Sequence, residues 1–544
     1  MENCESGCRL KRSSSDPPVP EDGSDHYMRP LRVNSAIYDE RLVVNSFVFQ
    51  YTSNMLFSLS FSLWSVAVLL LATAFSRYRR LSSIPGPLLA SFTSLWRFFV
   101  TEYGGFTQPL KELHDKYGPL VRIGPNTVSV ADPAAIPVIH TMHGEFKKSY
   151  ATLRALVNRK VLGTVIDIMD ENEVSALKRA VGGAFATKNL LDYEPDVDHA
   201  IETLVQAIRK TRKIPLLDVM QQFQIDFLLK VAFSRDTDYL TTGRSVAPVS
   251  AHRRLIHWAR WQSMPALESL LFKSPLSWAW YSEQGKPQAW TAMAIEEFNK
   301  RRDKASEGLS DKPDLMAKYL DGRSRHKDSI SDETILRMIS STIAAGFDTS
   351  AFTMTAIIYY LLKYPEAMKK LRSEIDEARH AGRLSTPQPR FVETDRLEYL
   401  GAVIKETMRM RPFVRPLLER EVPPGGAVIA GKFLPGGTTV GVSVSNVHFD
   451  RTVFGKDADE FRPDRWLDPD PQRRVLMERS VLGFGAGKRV CLGKHIAELE
   501  MKMVIPRILL EFDLSLEDPT YHFEPRDKWT NFPKPFSVIC RDRN

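Results

Sequence analysis

Ten residues near the carboxyl end, Phe484-Gly485-Ala486-Gly487-Lys488-Arg489-Val490-Cys491-Leu492-Gly493, set one cysteine in a glycine-spaced loop ahead of a long apolar-periodic stretch. A sulfur acts as a ligand only as the thiolate, and a free thiol is mostly protonated at neutral pH. The stretch beginning Lys494-His495-Ile496-Ala497-Glu498-Leu499 predicts a helix just beyond the sulfur. Its unpaired N–H groups and positive dipole end favour an anion. The fold must therefore bring a loop, a helix start and a ligand-accessible sulfur to one place.

Gly485, Gly487 and Gly493 allow backbone to pass close to a flat ligand. Phe484 can cover the sulfur, and Arg489 is a permanent cation able to pair with a carboxylate. An isolated cysteine is more often a buried structural residue. The combined spacing of Phe484, Gly487, Arg489, Cys491 and Gly493 argues against that fate. Zinc is set aside, because His495 is the only histidine or further cysteine within ten residues of Cys491. A lone supported thiolate can hold haem iron.

The remaining cysteines are Cys4, Cys8 and Cys540, too few and too far apart for a disulfide framework. The net charge of +8, from 74 basic and 66 acidic residues, is spread without a long Lys/Arg block. That excludes a nucleic-acid arm and suits an anionic membrane surface or an acidic protein partner.

Residues 1–45 read as a polar, disordered extension. Residues 42–76 hold no Asp, Glu, Lys, Arg or His, and Arg77-Tyr78-Arg79-Arg80 follows. Residues 46–80 read as a transmembrane anchor with a basic flank, its helix at about 55–75. The flank predicts a cytosolic body. Ser58, Ser60, Ser62 and Ser65 favour the alternative of a buried core helix. Ile84-Pro85-Gly86-Pro87 is a stiff turn leading into the body, residues 81–544. Strands over 120–124 and 127–130 form a hairpin around Pro125-Asn126, and residues 133–399 are mainly helical. A short strand-rich zone occupies residues 426–444. The fold class is mainly α with small β-sheets, one large domain.

Two further constellations carry chemistry. Glu406 and Arg409 share a helix face at i and i+3, and Arg465 stands on the Pro-constrained loop Phe461-Arg462-Pro463-Asp464-Arg465-Trp466. A buried Glu between two Arg pins elements in register, and losing one member is severe. Ala344-Ala345-Gly346-Phe347-Asp348-Thr349 lies in a long apolar helix over residues 332–363. Small residues there leave a groove beside an acid and a hydroxyl, suited to a small molecule and proton transfer.

Together these motifs resemble the cytochrome P-450 monooxygenase family over residues 82–540. Phe484, Gly487, Arg489, Cys491 and Gly493 match its haem signature, Glu406–Arg409 with Arg465 its structural triad, and Ala345 to Thr349 its oxygen-groove motif. The anchor and proline hinge resemble eukaryotic microsomal members, and the 426–450 region resembles fungal secondary-metabolism enzymes related to pisatin demethylase. One departure stands out: where many members carry W-x-x-x-R, this chain has Val174 and Lys178, with Arg179 adjacent. The propionate contact then falls to Lys178 as a point charge, or to Arg179.

The resemblance implies haem b (iron protoporphyrin IX), with Cys491 as iron ligand and Arg489, Phe484, Gly487, Gly493 and Lys178 around it. It implies Asp348 and Thr349 as proton-delivery residues. Ala344, Ala345, Phe347, Leu417 and Leu418 are expected over the haem. One atom of dioxygen would enter a lipophilic small molecule. Electrons would come from NADPH-cytochrome P-450 reductase, with cytochrome b5 as a second donor, on the endoplasmic reticulum membrane. A haem-thiolate isomerase or dehydratase independent of NADPH, and a non-catalytic haem-binding sensor, are the competing readings.

Overall fold

A computed structural model describes residues 36–149, 156–157, 160–161, 163–246, 252–274, 289–305, 314–326, 330–414, 417–525 and 531–543. Cys4, Cys8 and residues 1–35 of the expected extension lie outside the described residues. The chain divides into two units after Ala72.

Helix α1 (Ala36–Arg80) contains the uncharged run. The helix begins at Ala36, inside the expected extension of residues 1–45. Residues 49–80 are long and apolar enough to cross a membrane, and none of the most apolar window is buried. The serines do not oppose this. Ser60, Ser62 and Ser65 donate to the carbonyls of Phe57, Ser58 and Phe61 at 2.8, 2.8 and 2.9 Å. Hydroxyls bonded to their own helix backbone need no outside partner.

The second unit is mainly helical around one large apolar core. Helix α2 (Glu171–Val181) starts on the Asp170 side chain, which accepts from the N–H groups of Asn172 and Glu173. Helix α3 (Leu216–Phe233) is buried on most of its surface, Gln221, Gln222 and Gln224 included. It packs along α4 (Asp332–Lys363), which Ser331 caps through the N–H of Thr334. Helices α5 (Glu398–Met410) and α6 (Lys494–Glu511) complete the centre. Gly346 permits the α3–α4 approach, since a Cβ there would lie 3.2 Å from Leu228.

The larger sheet holds β1 (Leu120–Gly124), β2 (Thr127–Val130), β3 (Lys147–Lys148), β4 (Leu418–Glu421) and β5 (Thr439–Val442). Its spatial order is β1-β2-β5-β4-β3, with β5 parallel to β2 and the other pairs antiparallel. Lys148 lies opposite Arg420 in the β3–β4 register, so the sheet edge brings two cations together. A second sheet pairs Phe512–Leu516 with Ser537–Asp542, and that strand with Lys213–Pro215. Cys540 is buried there, and burial pushes its thiol up to about 12, so it stays protonated.

Candidate functional site

The cysteine loop lies between α2 and the start of α6. The N–H of Cys491 donates to Phe484 O at 2.8 Å and closes the loop. Gly487 has φ +63°, and a Cβ there would stand 2.2 Å from His140 O, so only glycine lets the loop seat against that segment. Gly493 caps α6. The N–H groups of Gly493 and Lys494 reach the Cys491 sulfur. Burial raises the thiol pKa, while these two N–H groups and the charges of Lys178 and Lys494 oppose the rise. Cys491 is densely surrounded, yet the residue keeps exposed surface. Phe484 packs half-buried on the main core, with the Lys494 ammonium 6.0 Å from its ring.

Lys178 donates to Lys488 O at 2.8 Å and Val490 O at 2.7 Å, whereas Arg179 is exposed. Val174 is buried in the core. Arg489 pairs with Glu171 at 2.9 Å and donates to the carbonyls of Val165 and Ile168. The sequence reasoning missed four neighbours: His140, Lys148, Glu171 and Arg420. Burial, reinforced by Arg489, lowers Lys148 to about 8 and Arg420 to about 10. Burial, reinforced by Arg420, lowers His140 to about 3. Lys147-Lys148 and Glu419-Arg420-Glu421 read as ordinary surface charge; only the β3–β4 pairing turns Lys148 and Arg420 toward the loop.

The Glu406 carboxylate accepts from Arg409 Nε and Nη2 at 2.9 and 2.8 Å and from Arg465 Nε at 3.0 Å. It also accepts from the N–H of Arg462 and from Trp466 Nε1, both at 2.9 Å. Both arginines are buried with it.

On α4 the groove residues turn different ways. Thr349 Oγ1 donates to Ala345 O at 2.7 Å, on the face where Ala345 is exposed and Ala344 half-buried. Asp348 is buried against α3 and accepts from Gln221 Nε2 at 2.7 Å. Phe347 is 0 % exposed and belongs to the main core, so the structure places it away from the groove. Leu417 is buried with Leu110, Val121 and Ile123, and Leu418 packs against the sheet core. Glu500, also missed, is buried on α6 and accepts from Gln224 Nε2 at 3.1 Å. Burial lifts its carboxyl to about 8, against hydrogen bonds from Ser350 and Gln224.

Comparison with known proteins bears on the same residues. The cytochrome P-450 family profile matches residues 85–539. The chain belongs to that family. A cytochrome P-450 monooxygenase of Aspergillus terreus is 36% identical over 455 residues, covering 80% of this chain and 91% of that protein. The cytochrome P-450 monooxygenase cicH of Emericella nidulans is 34% identical over 495 residues, covering 88% and 97%. The cytochrome P-450 monooxygenase mfmA of Annulohypoxylon moriforme is 31% identical over 487 residues, covering 86% and 93%. This cytochrome P-450 is therefore a haem-thiolate monooxygenase, of a family that draws electrons from redox partners and acts on lipophilic molecules.

The residues present fit a haem. Around the loop, four cations (Lys148, Lys178, Arg420 and Arg489) meet the carboxylates of Glu171 and Asp167. Lys494 adds a further cation near the sulfur, and haem carries two carboxylates. Both ring nitrogens of buried His140 lack a hydrogen-bond partner among the described residues. A buried cationic excess beside the Cys491 sulfur suits a flat dianionic ligand bound through iron.

Proposed function

We propose that Cys491 would hold the iron of haem b through its thiolate, and that the enzyme inserts one oxygen atom into a lipophilic secondary metabolite. The observation that carries this reading is the Cys491 sulfur held by two N–H groups at the start of α6, inside a cationic pocket. The family resemblance supplies the reductase, cytochrome b5 as an additional donor, and the endoplasmic reticulum location. The apolar span of residues 49–80 supports membrane attachment.

Bound haem supplies the activation of dioxygen. The protein supplies the rest. The N–H groups of Gly493 and Lys494 and the charges of Lys178 and Lys494 favour the Cys491 anion against the burial that raises its thiol, and they are in place before any reaction. Lys178 locks the carbonyls on either side of Arg489. Thr349 keeps its hydroxyl on the exposed face of α4, where it could pass a proton towards a bound oxygen, while Asp348, the neighbouring acid, is turned against α3 and Gln221 and could serve only through a further carrier such as water. Ala344 and Ala345 present small apolar surface, which leaves room for substrate and gives it no strong polar anchor.

Purified full-length protein and its Cys491→Ala variant are compared by the reduced carbon monoxide difference spectrum. Wild type should give the thiolate-type band and the variant should lose it; a band that survives in the variant removes Cys491 as ligand. Product formation that needs reductase, NADPH and dioxygen supports the monooxygenase, whereas turnover without NADPH moves the assignment to an isomerase or dehydratase.

A further inference from the structure

The hydroxyl of Thr349 stands in a stretch of α4 that its own sequence weakens. Gly346 lies inside the helix, three residues earlier. Thr349 Oγ1 donates to Ala345 O at 2.7 Å and to Gly346 O at 3.4 Å. Further on, Thr353 Oγ1 donates to Thr349 O and Thr355 Oγ1 to Ala351 O, both at 2.8 Å. Glycine lowers helix stability, and hydroxyls bonded to the carbonyls of their own helix bend and loosen it. The direction of the Thr349 side chain therefore has to be set from outside α4.

Both chain neighbours of Thr349 are held by other helices. Each residue turns an α-helix by about 100°, so Asp348 and Ser350 project to either side of Thr349. Asp348, 1% exposed, accepts from Gln221 Nε2 on α3 at 2.7 Å. Ser350, 4% exposed, is hydrogen-bonded to the Glu500 carboxyl on α6. Glu500 in turn accepts from Gln224 Nε2 on α3 at 3.1 Å. Gln221 and Gln224 are three residues apart and share a face of α3. That face reaches one side of Thr349 directly and the other by way of Glu500. Among the described residues only Ser350 and Gln224 oppose the burial of the Glu500 carboxyl, and neither is charged. A carboxyl buried without a charged partner is stable as the neutral acid, which orients its neighbours without bringing charge to the helix.

We propose that Gln221 and Glu500 are positioning residues for Thr349, gripping α4 on both sides of it so that its hydroxyl stays on the exposed face. The proposal rests on the reading that Thr349 serves a bound oxygen. Glu500 acts here as a neutral hydrogen-bonding group and not as a source of protons, so its amide isostere should hold α4 equally well.

The test uses full-length, haem-loaded protein at neutral pH with Gln221→Leu, Glu500→Leu, Glu500→Gln and, as a reference, Thr349→Ala. Hydrogen exchange read by mass spectrometry follows the backbone amides of residues 346–353, with those of 356–363 on the same helix as an internal control. The infrared C–O stretch of the reduced carbon monoxide complex reports which groups face a bound diatomic ligand. Gln221→Leu and Glu500→Leu should each speed exchange over 346–353 by roughly tenfold, the scale of one lost buried hydrogen bond, and leave 356–363 unchanged. Their C–O band should broaden or split, as the Thr349 hydroxyl takes more than one direction. Glu500→Gln should match wild type in both readouts. If Glu500→Leu does not fold, Ser350→Ala removes the same bond from the α4 side and is read in the same way. Wild-type exchange over 346–353 in both leucine variants overturns the proposal. Exchange that quickens equally along the whole of α4 also overturns it, because that marks general loosening. A Glu500→Gln protein that behaves like Glu500→Leu overturns it by showing that the acid's proton is required. A Thr349→Ala protein whose C–O band equals that of wild type is a separate outcome: it removes Thr349 from the oxygen site, the reading on which the proposal rests, whereas exchange reads the grip on α4 itself.

Discussion

Replacing Glu406 by glutamine tests the buried triad with little change of volume. The wild-type carboxylate receives five hydrogen bonds, three of them from Arg409 and Arg465. The two guanidinium groups are also fixed by backbone: Arg409 donates to the carbonyls of His448, Ala458 and Glu460, and Arg465 to those of Asp457 and Glu460. They cannot swing to solvent when the carboxylate is neutralised. An amide offers one acceptor and turns two donors towards groups that are themselves donors. Breaking a buried ion pair by removing one partner costs about 3–5 kcal/mol, a large share of the roughly 5–15 kcal/mol that holds a domain folded. For a body of roughly 470 residues (73–544) the unfolding entropy is about 1 kcal/mol/K, so the midpoint should fall by roughly 3–5 °C. Thermal unfolding by circular dichroism, with the carbon monoxide spectrum beside it, makes the measurement. A midpoint within about 1 °C of wild type, with the spectrum intact, would refute the claim that these charges hold the fold in register.

Thr349→Ala should keep haem but divert NADPH into peroxide, with product per NADPH down by as much as roughly 100-fold, the low end of what a placed proton donor contributes; unchanged coupling removes Thr349 from proton delivery. Glu500→Gln should gain stability over wild type as pH rises. The folded-state pKa is raised to about 8, so the unfolded chain gives up this proton first, and the wild type loses up to about 1.4 kcal/mol per pH unit between roughly pH 4.5 and 8. A difference between the two proteins that stays flat across that window in denaturant titrations contradicts a buried neutral acid. Gly487→Ala should leave the body folded but cost the loop about 1–3 kcal/mol through the 2.2 Å approach to His140 O, read as faster haem release; release at the wild-type rate would show that the loop seats without glycine.

Much of the fold was legible because its signals are local. The 35 uncharged residues of 42–76, the hairpin around Pro125-Asn126 and the long apolar run of α4 are each set by residues within one element. The parallel pairing of β5 with β2 was not legible, because it joins strands about 310 residues apart and leaves no periodic mark in either.

The site divides along the same line. Residue type and spacing single out Cys491, Glu406, Arg409 and Thr349 as candidates, since each proposed chemistry demands that residue. Direction was harder. In Ala344-Ala345-Gly346-Phe347-Asp348-Thr349 each step turns about 100°, so adjacent residues cannot share a face. Phe347 goes to the core, Asp348 to Gln221 on α3, and Ala345 with Thr349 to the exposed side. Which third of the helix faces which neighbour is decided by α3, more than a hundred residues earlier. Glu171 makes the point more sharply. It stands 318 positions from Arg489, in a helix start where acids are common for reasons of capping alone. Only the folded loop distinguishes a dipole-stabilising glutamate from one that also pairs with the arginine beside the sulfur.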